Sequence, residues 1–220
     1  MLTRYTTSYL GAVLLAVLLA PGVAAIALAV LFVDGAPVFY RSRRVGKGGR
    51  VFDMYKFRTM YVAKGGRRGH LITTSHDSRV TRLGRWLRRF RLDEIPQLLN
   101  VLRAEMVLVG PRPESPEYAE KYESQRQDML RLCPGITDPG TLAFPFLEME
   151  IVSRAADPSE VYVRAVMPAR NRLSLVYARV ATPATDVLVL VLTVLALLSK
   201  RHARSIGHDC FRRFSSNVGP

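Results

Sequence analysis

The sequence predicts an α+β, mainly helical protein held at a membrane. Its expected parts are a proline-broken N-terminal apolar helix, a β-hairpin and arginine-laced amphipathic helices. Three observations carry this. Residues 9–33 hold 25 consecutive positions without a charge. Residues 37–60 place two β-branched and aromatic runs on either side of a glycine-rich turn at 46–49. Residues 79–91 set Val80, Leu83, Trp86, Leu87 and Phe90 at helical spacing, with arginine at 79, 82, 85, 88, 89 and 91.

The chain has 220 residues, enough for one domain with a core, and a net charge of +14. The charge is local: residues 41–112 hold 18 Lys and Arg against 5 Asp and Glu, and the remainder is nearly neutral. A block of that sign suits an anionic membrane surface, nucleic acid or a phosphorylated substrate. Cys133 and Cys210 follow no metal or redox spacing, which fits a reducing, cytoplasmic setting. His70, His76, His202 and His208 lack the close pairing of a zinc site.

Taken in order, residues 9–33 are long enough to span a bilayer and do not have the pattern of a cleavable signal peptide. Pro21, between Ala20 and Gly22, removes a ladder hydrogen bond, so a kink is expected. Arg4 precedes the segment, and Arg41, Arg43 and Arg44 follow it. A straight span would put the C-terminal flank inside, whereas a sharp break would keep both basic flanks inside. The basic block is cytoplasmic in either case. In the hairpin, Lys56 and Arg58 alternate with apolar neighbours and so share a face, either solvated or turned to a site. Residues 61–76 read as a polar loop. The 79–91 helix suits the membrane interface, with its guanidinium groups at the headgroups, and suits equally a helix packed on its own core.

The stretch 88–102, Arg-Arg-Phe-Arg-Leu-Asp-Glu-Ile-Pro-Gln-Leu-Leu-Asn-Val-Leu, carries the sharpest signal. Pro96 marks a first helical turn, which makes Asp93 an N-cap and Glu94 a first-turn residue. A helix start favours ionised carboxylates, and its free N–H groups with nearby arginines hold phosphate. A carboxylate beside an anion site can attack phosphorus or hold a bridging metal. A capped helix with acids suited to its dipole is the plainer meaning of the same residues.

Beyond it, Pro111 and Pro113 stiffen the backbone around Arg112, which suits holding a phosphate and suits a surface turn as well. Residues 114–132 read as an exposed helix ended by Cys133-Pro134-Gly135, and residues 136–145 as a loop. Residues 158–180 read as helix with a break at Pro168. The apolar run 186–199 is too short to span and is expected to be buried or interfacial. The basic tail, with Lys200, Arg201, Arg204, Arg212 and Arg213, is expected to be loosely ordered.

Together these residues resemble the bacterial sugar transferase family, the small monotopic phosphoglycosyl transferases that begin glycan assembly on polyprenol phosphate. The resemblance runs from about residue 8 to 199. It rests on the proline-broken segment, the Phe39-Tyr-Arg…Arg-Val-Gly…Tyr-Lys-Phe-Arg-Thr-Met60 hairpin and Asp77-Ser-Arg-Val-Thr-Arg-Leu-Gly-Arg-Trp-Leu-Arg-Arg. Leu92-Asp-Glu-Ile-Pro-Gln, Val109-Gly-Pro-Arg-Pro and Pro134-Gly-Ile-Thr complete it in that order.

The resemblance implies transfer of a sugar-1-phosphate from a UDP-sugar to polyprenol phosphate (undecaprenyl phosphate), with release of UMP and with Mg2+. It implies Asp93 as nucleophile, through a covalent phosphosugar–aspartyl intermediate, and Glu94 as a metal ligand. Lys56, Arg88 and Arg112 match basic positions that bind phosphate or support the site. Arg58 and Arg91 are added on charge alone. The fold implied is a re-entrant membrane helix (1–35), a catalytic domain with interfacial helices (36–199) and a basic tail (200–220). The enzyme would sit on the cytoplasmic face of the bacterial inner membrane, on anionic phospholipid. Nucleic acid is not an expected partner, and downstream glycosyltransferases are candidates.

The chain departs from the family pattern twice. Ala20 stands where a serine precedes the proline, and Asp138-Pro139 stands where many members have glycine after Pro-Gly-Ile-Thr. Two other readings stand beside the enzyme. One is a membrane-anchored basic module that binds anionic lipid or nucleic acid without turnover, and the other is an inactive subunit of a glycan-assembly complex.

Overall fold

A computed structural model describes residues 2–62, 77–121, 126–143, 155 and 157–198. The four histidines, Cys210, the basic tail and nearly all of the 61–76 loop lie outside them.

Helix α1, Leu2–Asp34, is the uncharged segment extended at both ends. It is long and apolar enough to cross a membrane. It continues through Pro21 as one helical element, so the expected break does not divide it into two helices. Residues 17–22 are exposed all round. On either side, Ala12 and Val30 are buried in two separate clusters. Both ends are tied to the rest of the chain. Arg4 donates to Asp186 at 2.6 and 2.8 Å, and the Ser8 hydroxyl accepts from the Leu108 N–H at 2.7 Å. At the far end, the Asp34 carboxylate accepts from the Thr81 hydroxyl at 2.8 Å.

Strands β1 (Phe39–Val45) and β2 (Val51–Phe57) form the expected hairpin, with Tyr40 opposite Lys56 and Arg44 opposite Phe52. Gly48 and Gly49 supply the positive φ (70° and 78°) that the connecting turn requires. Helix α2, Arg82–Arg89, is capped by the Thr81 hydroxyl, which accepts from the Gly84 N–H. Gly84 lies directly against the Thr59 backbone, where a Cβ would come within 2.2 Å of its carbonyl oxygen. The apolar stripe of α2 divides. Leu87 is sealed against Val30 and Phe57 with Leu83 beside it, whereas Trp86 is 52 % exposed and edges Phe90.

Arg91 turns the chain in the left-handed region, φ 52°, a conformation that usually selects glycine. A 3-10 segment, Leu92–Gln97, follows and runs into α3, Leu98–Leu102. Asp93 is therefore not an N-cap: the helical turn starts at Leu92, and both carboxylates lie inside it. The fully buried Asn100 amide donates to the Asp53 carbonyl and Glu105 carboxylate at 2.7 Å each, and accepts from the Tyr55 N–H at 3.0 Å. Those bonds fasten α3 to β2.

The stretch expected to be a loop at 136–145 is ordered otherwise as far as residue 143, and residues 144 and 145 lie outside the described residues. Strand β3, Val107–Val109, pairs in parallel with β4, Gly135–Thr137, and α6, Pro139–Ala143, starts from Asp138. The exposed helix expected over 114–132 is also corrected. Among the described residues it is two short helices, α4 (Pro116–Ala119) and α5 (Arg126–Arg131), with Glu114, Tyr118, Ala119 and Met129 buried.

The C-terminal helices begin with α7, Pro158–Val161, capped by Asp157. A π turn, Tyr162–Val166, leads into α8, Met167–Val180. The expected break at Pro168 takes the form of that π turn, just before the residue that lacks an N–H. Helix α9, Pro183–Leu198, begins earlier than the apolar run suggested. It buries Val189 and exposes Val187, Leu188, Val191, Leu192, Val194 and Leu195.

Candidate active site

Antiparallel register puts Tyr40, Ser42 and Arg44 on the hairpin face that carries Lys56. Lys56 reaches from it to the 3-10 segment, and its Nζ lies 2.7 Å from Glu94 Oε1. Arg112, from the loop after β3, approaches the same oxygen with both terminal nitrogens at 3.4 Å. The Arg91 guanidinium meets Glu94 Oε2 at 3.3 Å. Asp93 is as deeply placed (6 % exposed, against 8 % for Glu94) but takes no ion pair or hydrogen bond among the described residues. Arg88 is anchored by the Thr59 hydroxyl, which accepts from its Nε at 2.8 Å.

The electrostatics follow from this asymmetry. Burial, then the adjacent Glu94, push the Asp93 carboxyl above the usual aspartate range, with Lys56, Arg88 and Arg91 opposing. For Glu94 burial acts in the same upward direction, but Lys56, Arg112 and Arg91 overcome it and hold the group well below the glutamate range. Lys56 is lowered by burial and by Arg112 and Arg44, despite its contact with Glu94. Cations outnumber carboxylates here, and that excess is what an anionic substrate would neutralise.

Lys56, Arg88, Arg91, Asp93, Glu94 and Arg112 are thus brought to one place. Arg58 is not. It is 7 % exposed and donates to the Asp34, Gly35 and Ala36 carbonyls at 2.6, 2.5 and 2.8 Å, closing the C-terminal end of α1. Two residues on one strand face therefore have different fates, because the 3-10 segment covers Lys56 while α1 ends beside Arg58.

Sequence reasoning missed the support behind Arg112. Glu114 is buried against Arg170, which is 2 % exposed, and accepts from the Tyr162 hydroxyl at 2.7 Å. Asp138, 1 % exposed, accepts from Ser174 and from the Thr141 N–H. Burial pushes the Asp138 carboxyl up, against those hydrogen bonds. The Asp-Pro pair was itself the available signal, an N-cap followed by proline at the first helical position. Arg44 was missed too, although its alternation with Ser42 and Tyr40 placed it on the Lys56 face.

A divalent cation can be tested against the donors present. Among the described residues no cluster of three metal-ligating side chains occurs. Mg2+, however, is commonly bound by one or two carboxylates plus substrate phosphates, and adjacent Asp93 and Glu94 supply hard oxygen donors of that kind. Among the described residues the Asp93 oxygens carry no partner and Glu94 Oε2 has only the long Arg91 contact, so the donor set fits.

A compact site of buried adjacent carboxylates, cations and a stiff Pro-Arg-Pro loop is thus joined to a helix long and apolar enough to cross a membrane. The family model described as bacterial sugar transferase matches residues 1–200, and the chain belongs to that family. It is 40 % identical over 147 residues to an undecaprenyl-phosphate glucose phosphotransferase of Komagataeibacter xylinus, covering 62 % of this chain and 27 % of that one. It is 42 % identical over 120 residues to a UDP-glucose:undecaprenyl-phosphate glucose-1-phosphate transferase of Xanthomonas campestris pv. campestris, 53 % of this chain and 25 % of that one. A Caulobacter vibrioides protein of the same description is 38 % identical over 153 residues, 62 % and 52 % of the two chains. The matched region thus spans from a quarter to about half of these relatives.

Proposed function

We propose that this protein transfers a sugar-1-phosphate from a UDP-sugar to a polyprenol phosphate such as undecaprenyl phosphate, releasing UMP. The observation that carries the proposal is the contrast between Asp93, buried and without a partner among the described residues, and Glu94, held by three cations. A carboxylate left unpaired inside a basic pocket is a nucleophile kept available. A carboxylate held ionised by cations is a fixed charge.

In the first half-reaction an Asp93 oxygen attacks the phosphorus that bears the sugar. The bond from that phosphorus to the bridging oxygen breaks, and UMP leaves with the electron pair. In the second, a phosphate oxygen of the polyprenol phosphate attacks the aspartyl phosphorus, and the Asp93 carboxylate is regenerated. Lys56, Arg88, Arg91 and Arg112 orient the diphosphate and offset the charge that develops on it. When Mg2+ is bound, Glu94 would hold it together with substrate phosphates, and it would supply further charge neutralisation.

Membrane attachment through α1 completes the proposal. Both ends of α1 are tied to one arginine-rich body, Arg4 to Asp186 and Asp34 to Thr81. A helix that crossed the bilayer would require that body to stand on both sides. This supports a monotopic arrangement with residues 17–22 deepest, both ends of α1 on the cytoplasmic face of the bacterial inner membrane, and α9 with Trp86 at the interface on anionic phospholipid. Cysteines placed singly at Thr3 and Gly35 should both be labelled from the cytoplasmic side only; labelling from opposite sides would refute it.

The deciding experiment is UMP release by the protein in nanodiscs with Mg2+, undecaprenyl phosphate and one UDP-sugar at a time. UDP-glucose comes first, because relatives are named for glucose. Release that disappears in Asp93→Asn and on chelation would establish the reaction. Silence across a broad panel from folded protein would favour a non-catalytic basic module.

A further inference from the structure

Arg44 is a half-buried cation that the proposed chemistry leaves unused. Its Nε donates to the Ser42 hydroxyl at 3.2 Å and its Nη1 to the Pro113 carbonyl at 3.4 Å. Both acceptors are neutral, and among the described residues no carboxylate lies within ion-pair distance of this guanidinium. Nη2 has no hydrogen-bond partner among them. A guanidinium drawn partly out of water with only neutral acceptors has donor capacity left for an anion. Its neighbours sharpen the point. Arg44 is lowered first by burial and next by Arg112, and Arg112 in turn depresses both Lys56 and Arg170.

Lys56, Arg91 and Arg112 already converge on Glu94. Arg44 lies in the field of Arg112 and Glu94 but pairs with neither carboxylate among the described residues. The bond between Arg44 and the Pro113 carbonyl, together with that from the Val45 N–H to the Glu114 carbonyl at 2.9 Å, fastens the end of β1 to the Pro-Arg-Pro loop. The two guanidinium groups are thereby carried on one stiff support, which is how a phosphate is bound with little ordering cost.

We propose that Arg44 and Arg112 form a second anion subsite that takes a phosphate monoester, and that its occupant is the phosphate of the departing UMP. This rests on the transferase reading. With the sugar-bearing phosphorus at Asp93, the adjoining phosphate of the diphosphate is the anion that needs a separate pair of cations. It leaves carrying the electron pair of the broken bond, and Arg44 stabilises that charge.

The test is UMP binding by calorimetry to nanodisc-held protein, with uridine and farnesyl phosphate measured alongside, for the natural chain, Arg44→Gln and Arg44→Lys. Arg44→Gln should weaken UMP by about ten- to hundredfold while changing uridine less than twofold, and Arg44→Lys should fall between. The same variants should raise the UMP product-inhibition constant. UMP affinity within twofold of the natural chain in both folded variants would overturn the proposal. Loss of farnesyl phosphate affinity alone would overturn it too, assigning the subsite to the acceptor lipid. Unfolding of both variants would leave Arg44 a structural role and likewise overturn it. A natural chain that turns over UDP-sugar but shows no effect of Arg44 on UMP sinks the subsite only. A natural chain that neither binds UMP nor turns over any UDP-sugar sinks the transferase reading itself.

Discussion

Asp93 and Glu94 are chain neighbours of equal depth with opposite surroundings: Lys56, Arg91 and Arg112 all reach Glu94, and no described side chain pairs with Asp93. The 3-10 segment produces this difference, since successive residues on a helical turn point about 100° to 120° apart. The Arg91 turn sets which of them faces the hairpin.

Asp93→Asn should abolish transfer while leaving the fold intact. Intact-protein mass spectrometry of the natural chain with UDP-sugar and no acceptor should show one added phosphosugar, absent in the variant. An adduct in the variant would place the nucleophile elsewhere.

Glu94→Gln should cost about 3–5 kcal/mol of stability, because three cations lose their counter-charge in a buried setting. Unfolding measurements in detergent would register it. A loss below about 1 kcal/mol would mean that the cluster is more solvated than its burial indicates.

The two carboxylates should have opposite effects on stability as pH changes. Glu94 has a folded pKa below its unfolded value. Its stabilisation is complete above the unfolded value of about 4.3 and is lost as pH falls through the lower folded one. Asp93 is raised, so its ionised form carries a penalty that grows from about pH 4 upward. Asp93→Asn should therefore be at least as stable as the natural chain near neutral pH, and Glu94→Gln should show a flatter stability profile on the acid side. The acid limb of the rate profile should lie above the ordinary aspartate pKa of about 3.9.

Arg58→Met should lower stability by about 3 kcal/mol, since three carbonyls at the end of α1 lose a buried cationic donor. Turnover per folded molecule should stay within about twofold, because the guanidinium does not reach Glu94. A selective fall in kcat with unchanged stability would return Arg58 to the site.

Gly135→Ala should prevent folding or cost more than about 3 kcal/mol. An added Cβ would stand 2.1 Å from the Gly110 nitrogen, where β4 crosses the chain leading to Arg112. Circular dichroism and thermal unfolding would report it.

Much of this protein follows from local pattern. The uncharged run makes α1, the glycines at 48 and 49 close the hairpin, and Asp-Glu-Ile-Pro marks a helical turn, because each depends on residues close in sequence. The resemblance named the same carboxylates and the cations Lys56, Arg88 and Arg112.

Only the tertiary structure decided which charges meet. Lys56 and Glu94 are 38 residues apart, and Arg112 is 18 beyond Glu94. Alternation put Lys56 and Arg58 on one face, and packing sent one to a carboxylate and the other to a helix end. The β3–β4 pairing escaped sequence reading because three-residue parallel strands carry no alternation long enough to see, and their hydrogen bonds join segments separated by α4 and α5. Propensity and hydrophobic periodicity are properties of short windows. Ion pairing is a property of distance in space, which no window contains.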